Sequence, residues 1–577
     1  MPGATVIPPS FHHDSLNTHQ SSRAWLWKCQ QTWKQLQVSY YGGKYSVHRV
    51  LALDQYKRTT SFTRLLLTCI GTPLPTVVFV LIQESIPLQD PNAGWRENYG
   101  FWIRAAILAF VISLMVSDQT RFLINGVILS RRQMILVSVC ASCAFIMCAT
   151  TIVANVTFPV PFFAIVMSPL FYLLLLMSYR IVAGSSIWRE ILQHQDQFIR
   201  FITFVFTEVM IAATYPAYEM LFRLAEGSRY QLLVIVLLPI IKVVAKNIVM
   251  RCMVHMEDMV PEAVIFTVDF FNAIYIASCM QSATSDIAIA AMAITDLSQT
   301  ILIRTVTIST KLRAIVGNNR EYDMIIAVCF LCRDLEMYEK QCREHIRVNS
   351  CFPHKLSCEN KALLESLAKI PIECRIEHDM NLSTRGPGSS SIMGAKVSHF
   401  CVRNKIPVIH RIVPEPTSSN LLVSAQSTPS CINDKSLHNS PLASRNTILR
   451  ETLEVLFSIE CLVVTAYLEA AIPFFYSTYI VIMIYLPSAQ YHSEMNGITS
   501  ENVGSKVLYL NLFGLLQVLS FVLLVSMIKR NCGMQAWCQL AFVLDTQMSL
   551  VQGKLVAWVV VTLCFRVVHF DFTFHFI

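Results

Sequence analysis

The chain has 577 residues, 54% hydrophobic and only 15% charged, with a mean hydropathy of +0.48. Its apolar residues fall in runs long enough to span hydrocarbon, which excludes an ordinary soluble domain and a disordered chain. The net charge of +8 is no nucleic-acid signature, because much of the basic excess lies beside apolar runs, where the positive-inside rule puts it.

In chain order, residues 1–60 read as a cytosolic segment without a cleavable signal, so the first apolar run stays as an anchor. Trp25, Cys29, Trp33, Leu36 and Tyr40 share a helical face beside Arg23, Lys28 and Lys34. That face suits a helix lying on the inner leaflet or one docked on the bundle equally well. Residues 61–303 hold apolar runs at Phe62–Ile82, Phe101–Val116, Gln133–Val153, Phe158–Met177, Phe201–Phe222, Gln231–Met250, Ala263–Met280 and Ile287–Ile303. Each is near the roughly 17–25 residues that a span needs, giving about eight. Arg121, Arg131 and Arg132, then Arg180 and Arg189, then Lys246 and Arg251 mark alternate links as cytosolic, whereas the acidic link 83–100 reads as external. The sequon at Asn155 lies too close to the membrane for a glycan.

Residues 304–450 are polar, with "RGPGSSS" and "VPEPTSSN". They read as a cytosolic loop, helical over Glu321–Arg347 and mostly a disordered linker beyond, with Thr428-Pro429 and Ser440-Pro441 as phosphorylation candidates and with cytosolic protein partners as its possible ligands. Residues 451–577 supply one long span, Leu453–Leu486, kinked at Pro473, and spans at Lys506–Met527 and Leu550–Val568. The fold class is therefore an all-α polytopic membrane protein with about 11 transmembrane helices (10–12), twelve if Pro473 marks a hairpin. The N-terminus is expected in the cytosol, the membrane being the plasma membrane or an endomembrane.

Several stretches carry a likeness: "EDMVPEAVIFTVDFFNAIYIASCMQSATS" from Glu257, "ETLEVLFSIECLVV" from Glu451, "QLAFVLDTQMSLVQGKLVAWVV" from Gln539 and the closing "DFTFHF". Together they resemble a large family of uncharacterised multi-pass transmembrane proteins of oomycetes. The resemblance covers both hydrophobic blocks and implies a shared helical membrane fold. That family has no established activity, so no functional residue comes with it.

Charged side chains at membrane depth are rare and usually face the bundle interior or water. Glu208 and Glu219, Asp269, Asp296, and Glu460 with Glu469 fall inside apolar runs. Glu208, Asp269, Asp296 and Glu460 would share a layer about 10 Å deep at about 1.5 Å per residue. With Glu469 they form the candidate proton or cation site, with Thr207, Asn272, Thr295 and Ser298 as neutral oxygen ligands and Lys242 and Lys246 as charge partners, their long side chains able to snorkel. The breaks at "CIGTPLPTVVFV", Pro216 and Pro473 can free backbone carbonyls.

Nineteen cysteines lack the regular spacing of a disulfide scaffold and read as reduced thiols. Cys329 and Cys332 form a CxxC, and Cys342, His345, Cys351, His354 and Cys358 form a compact set of zinc ligand types, weighed against the bland reading of scattered thiols, which is preferred. No Walker loop, HExxH or GxSxG is present, so no ATP-driven pump, hydrolase or cofactor is expected. The reading favoured is a secondary transporter or channel-like protein that uses the intramembrane carboxylates for proton or cation coupling, with the lipid bilayer and a small solute or cation as partners and no nucleic acid. The alternative is a membrane receptor or scaffold whose 304–450 loop binds cytosolic proteins.

Overall fold

A computed structural model describes residues 43–369 and 448–570, apart from residues 125, 128, 229, 254–256, 284, 299–323, 335–337 and 339–345. The expected helix around residues 25–40, residues 371–447 with their two phosphorylation candidates, Cys342, His345 and the closing "DFTFHF" lie outside the described residues.

The first helix, α1 (Val47–Thr59), is held at its start by other parts of the chain. Ser46 caps Arg49 N, and the orphan amides of Val47 and His48 donate to the carbonyls of Arg347 and Val348, both at 3.0 Å. Next come α2 (Phe62–Gly71) and α3 (Leu74–Glu84), broken at Thr72-Pro73. Pro73 has no N–H, so the Cys69 carbonyl loses its helical donor, and the Tyr467 hydroxyl donates to it at 2.6 Å. Tyr467→Phe leaves that carbonyl unsatisfied in an apolar setting and is expected to destabilise the protein by about 1–3 kcal/mol. Detergent unfolding of the purified protein reads this, and an unchanged midpoint would remove the hydroxyl from any such role.

Then follow α4 (Tyr99–Leu123), α5 (Arg131–Asn155, opened by a Ser130–Gln133 capping box), α6 (Ser168–Val182), α7 (Gly184–Gln193), α8 (Gln195–Leu224) and α9 (Gln231–Cys252). The next helix, α10 (Val260–Ser282), contains a π turn at Ile265–Asp269. Residues 286–298 form α11. After it lie α12 (Met324–Arg333), α13 (Cys358–Ala368) and α14 (Ile448–Met483), which runs unbroken through Pro473. The chain ends in α15 (Val503–Cys532), stopped by Gly533 at φ 65°, and α16 (Ala536–Thr546) with α17 (Met548–Cys564), which meet at 80°.

Among the described residues, eight helices are long and apolar enough to cross a membrane, or nine with the bent pair α16–α17. The protein is a multi-pass helical membrane protein. Helices from both hydrophobic blocks pack together, and their burial ranks them. The apolar window of α10 is 100% buried, against 28% for α2–α3, 33% for α9 and 39% for α15. The outer helices turn Leu67, Ile181, Leu233 and Leu508 outward, as lipid-facing surfaces do. By contrast α10 packs on α8, α9, α14, α15 and α17, so each of its polar side chains meets protein.

Three expectations need correction. The helix expected over Glu321–Arg347 gives way after Arg333 to non-helical Asp334, and residues 346–357 are non-helical because Arg347 and Val348 spend their carbonyls on α1. The segment beyond is docked in part: Phe352 is buried and α13 packs on α1. The break expected at Pro473 does not form, since α14 is continuous through it, and the link after it buries Ser488, His492 and Glu494.

Candidate functional site

The buried charges form groups along α10. At its start, Arg49 of α1 donates to Glu460 of α14 at 2.7 Å and to the Asp258 carbonyl at 2.8 Å, and the Tyr45 hydroxyl also donates to Glu460. Asp258 in turn accepts from Arg347 at 3.1 Å, Ser350 at 2.9 Å and the Cys351 amide at 3.1 Å. Two carboxylates thus meet two guanidiniums, an arrangement that seals this end of the bundle.

One turn into α10, Lys554 of α17 is fully buried. Its ammonium lies 3.1 Å from Glu208, 3.1 Å from Glu262 and 3.3 Å from the Thr267 hydroxyl. The Gln119 amide donates to both oxygens of Glu208, at 3.1 and 3.3 Å.

On the π turn itself, Asp269 lies 2.7 Å from Lys246 and 3.5 Å from Lys242 and accepts from Thr465 at 3.0 Å. Lys242 also holds Glu469 at 3.0 Å. Asp296 accepts from Gln517 at 2.7 Å and lies within electrostatic reach of Lys242, Glu469 and Asp269. A π turn inserts one residue into the helix and re-aims the side chains around it, a device common at functional sites. Here it sets Thr267 toward Lys554 and Asp269 toward α9 within three residues.

Near the far end of α10, Ser278 donates to Glu219 at 2.9 Å, and Glu219 pairs with Arg223 at 2.7 Å. Arg566 holds Glu494 and donates to the Tyr476 hydroxyl at 2.8 Å. Beside it, Glu84 pairs with Arg104 at 2.7 Å and with His492 at 3.0 Å. This end is again closed by matched guanidiniums and carboxylates.

The single four-carboxylate site is therefore not what forms. Asp269 and Asp296 come together and recruit Glu469, whereas Glu208 belongs to Lys554 and Glu460 to Arg49. The four do lie on neighbouring helices, but depth along a helix does not fix the face from which a side chain projects. The neutral ligands differ too. Thr207 and Ser298 donate to the Thr203 and Thr295 carbonyls of their own helices, at 2.8 and 3.0 Å. Asn272 is buried one turn beyond Asp269. Lys242 does not snorkel; it is 5% exposed. Arg49, Arg104, Lys554 and Arg566 went unnoticed in the sequence, although the last three are bases inside apolar runs and carry the same signal as the acids.

Among the described residues no group of three or more His, Cys, Asp or Glu could hold a metal. Cys351 and Cys358 are exposed. His354 stacks on Phe542 at 5.5 Å and meets His48 edge-on at 5.2 Å. Cys329 and Cys332 are both buried in α12.

Burial, with Arg49 and His48 nearby, pushes the His354 imidazole down from 6.5 to about 3. Below pH 6.5 the undocked chain binds a proton that the docked ring refuses, so docking is at full strength above pH 6.5 and weakens as pH falls toward 3. The loss is at most about 1.4 kcal/mol per pH unit. Limited proteolysis is expected to cut residues 346–369 faster as pH drops through that window. A flat rate would show that the ring titrates freely.

No family model, curated protein or solved structure matches the chain.

Proposed function

We propose that this multi-pass membrane protein is a secondary transporter or channel-like protein in which proton or cation binding at the Asp269 group is coupled to movement of a small solute or ion. The observation that carries the reading is that Asp269, on the π turn of a wholly buried helix, is shared by two lysines, one of which also holds Glu469 beside Asp296. Carboxylates that share cations in a low-dielectric layer change partners when one of them gains a proton, and the π turn at that point supplies the hinge. Glu219, Glu460 and Glu494, each held by arginine, are structural in this reading. No catalysis, cofactor or nucleic acid belongs to it.

With the bent pair, α6 and α11 counted, the spans number about eleven, α6 and α11 being short for a full crossing. The N-terminus and the 304–450 loop lie in the cytosol, the membrane is the plasma membrane or an endomembrane, and the fold is the one shared with the oomycete family of similar sequence. The test is proton flux into proteoliposomes holding the full chain and a trapped pH dye, under imposed sodium, potassium and solute gradients. Flux above that of empty vesicles is expected. No flux under any gradient would favour the receptor or scaffold reading, which the docked 346–369 segment supports as a rigid base for a partner-binding loop.

A further inference from the structure

We propose that Glu208 and Glu262 together bind one exchangeable proton, forming a second proton position separate from the Asp269 group. The inference rests on the transport reading for the role of this proton, but not for its existence.

Two carboxylates here share one ammonium. Glu208 and Glu262 are each 1% exposed, and Lys554 is 0% exposed. Lys554 lies 3.1 Å from a carboxylate oxygen of each and donates to Thr267, so a single ammonium serves both carboxylates. The other charged or titratable groups facing the pair are few. Asp118 on α4 lies within reach of Glu262 but is paired with its own Arg121 at 3.1 Å, and the Tyr172 ring of α6 faces Glu208. With both carboxylates ionised, the pair and Lys554 carry one net negative charge in a dry interior. Such a charge costs several kcal/mol unless neutralised.

Gln119 points to what neutralises it. The side chain is 1% exposed and its amide nitrogen donates to Glu208, while its oxygen, also buried, receives no hydrogen bond among the described residues. Turned over, the amide sets that oxygen against Glu208 as the acceptor a carboxylic acid O–H needs. When one proton from solvent adds to the pair, the protonated carboxyl donates to Gln119 after the amide turns over, and the other carboxylate keeps Lys554. No bond is broken and the charge closes to zero. A metal cation is disfavoured here, because the Lys554 ammonium already occupies the point where the oxygens converge.

The test is infrared spectroscopy of the full-length protein in nanodiscs, reading the protonated-carboxyl C=O stretch and its shift in D2O at neutral pH. Glu262→Gln and Glu208→Gln are each expected to remove one carboxyl equivalent, and the double variant no more than one. Lys554→Met is expected to add one, since both acids must then be neutral. Unchanged intensity in both single variants, or a loss of two in the double, would overturn the shared proton. Should the variants not fold, the unaltered protein still decides: absence of any D2O-sensitive protonated-carboxyl band sinks the proposal. Transport is not read here, so failure of the coupling reading would leave this band in place, and the reverse also holds.

Discussion

Arg566→Leu is expected to be among the most destabilising single changes in this protein, costing about 3–5 kcal/mol, the range for removing one partner of a buried ion pair. Arg566 is 2% exposed and holds Glu494 directly, with Glu219 at 3.8 Å and the Tyr476 hydroxyl at 2.8 Å. Its guanidinium also lies over the rings of Tyr275 and Tyr476, at 5.5 and 5.1 Å. Leucine restores none of these contacts and strands Glu494 under the buried link, where Ser493 N donates to the Arg566 carbonyl at 2.9 Å. Adding Glu494→Gln removes the stranded charge and is expected to restore much of the loss. A double-mutant cycle on unfolding midpoints checks this. Additive losses would mean that the two residues act separately.

Asp269→Asn is expected to have the second large effect, and to act on function before stability. It removes the carboxylate shared by Lys242 and Lys246, so that the positive charges near α9 face Glu469 and Asp296 alone. Any proton flux through the protein is expected to fall at least tenfold, equivalent to about 1.4 kcal/mol. Gln517→Leu, which removes only the amide donor to Asp296, is expected to keep flux and change its pH dependence. Equal flux in Asp269→Asn and the unaltered protein would make this carboxylate a packing feature.

Much of the fold is legible in the sequence because hydrocarbon length is a blunt constraint: the apolar runs at Phe101–Val116, Gln133–Val153, Phe201–Phe222 and Gln231–Met250 coincide with α4, α5, α8 and α9. The interruption at Pro73 was readable, but those expected at Pro216 and Pro473 are absent, both prolines lying inside continuous helices. Less legible was α16, whose "AWCQLAFVLDT" fell between the expected spans Lys506–Met527 and Leu550–Val568 yet is helical and meets α17 at 80°. Which acids meet was legible only in part: Asp269 and Asp296 do gather near Lys242, but Glu208 and Glu460 go to other bases. The sequence put Glu208 and Glu460 at the depth of Asp269, whereas they lie nearer the start of α10, with Glu262 and Asp258, where the packing of α8 and α14 sets them. The bases were the readable omission. Lys554 stands inside "SLVQGKLVAWVV" and Arg104 inside "FWIRAAIL", and a search for every intramembrane charge of either sign would have paired them with acids.

Water access to the Asp269 layer tests the coupling reading most directly, because a proton or cation reaches Asp269 only through a hydrated path. Radiolytic hydroxyl-radical labelling of the full-length protein in nanodiscs reports such water on the rings beside it, Tyr215 and Phe271, which are stacked at 5.6 Å and fully buried. The expected result is oxidation of Tyr215 and Phe271 well above that of Phe222 on α8 and Phe101 on α4, rings about as deeply buried elsewhere. Protection of all four to the same degree would contradict coupling at Asp269 and leave its ion pairs as internal bracing for α10.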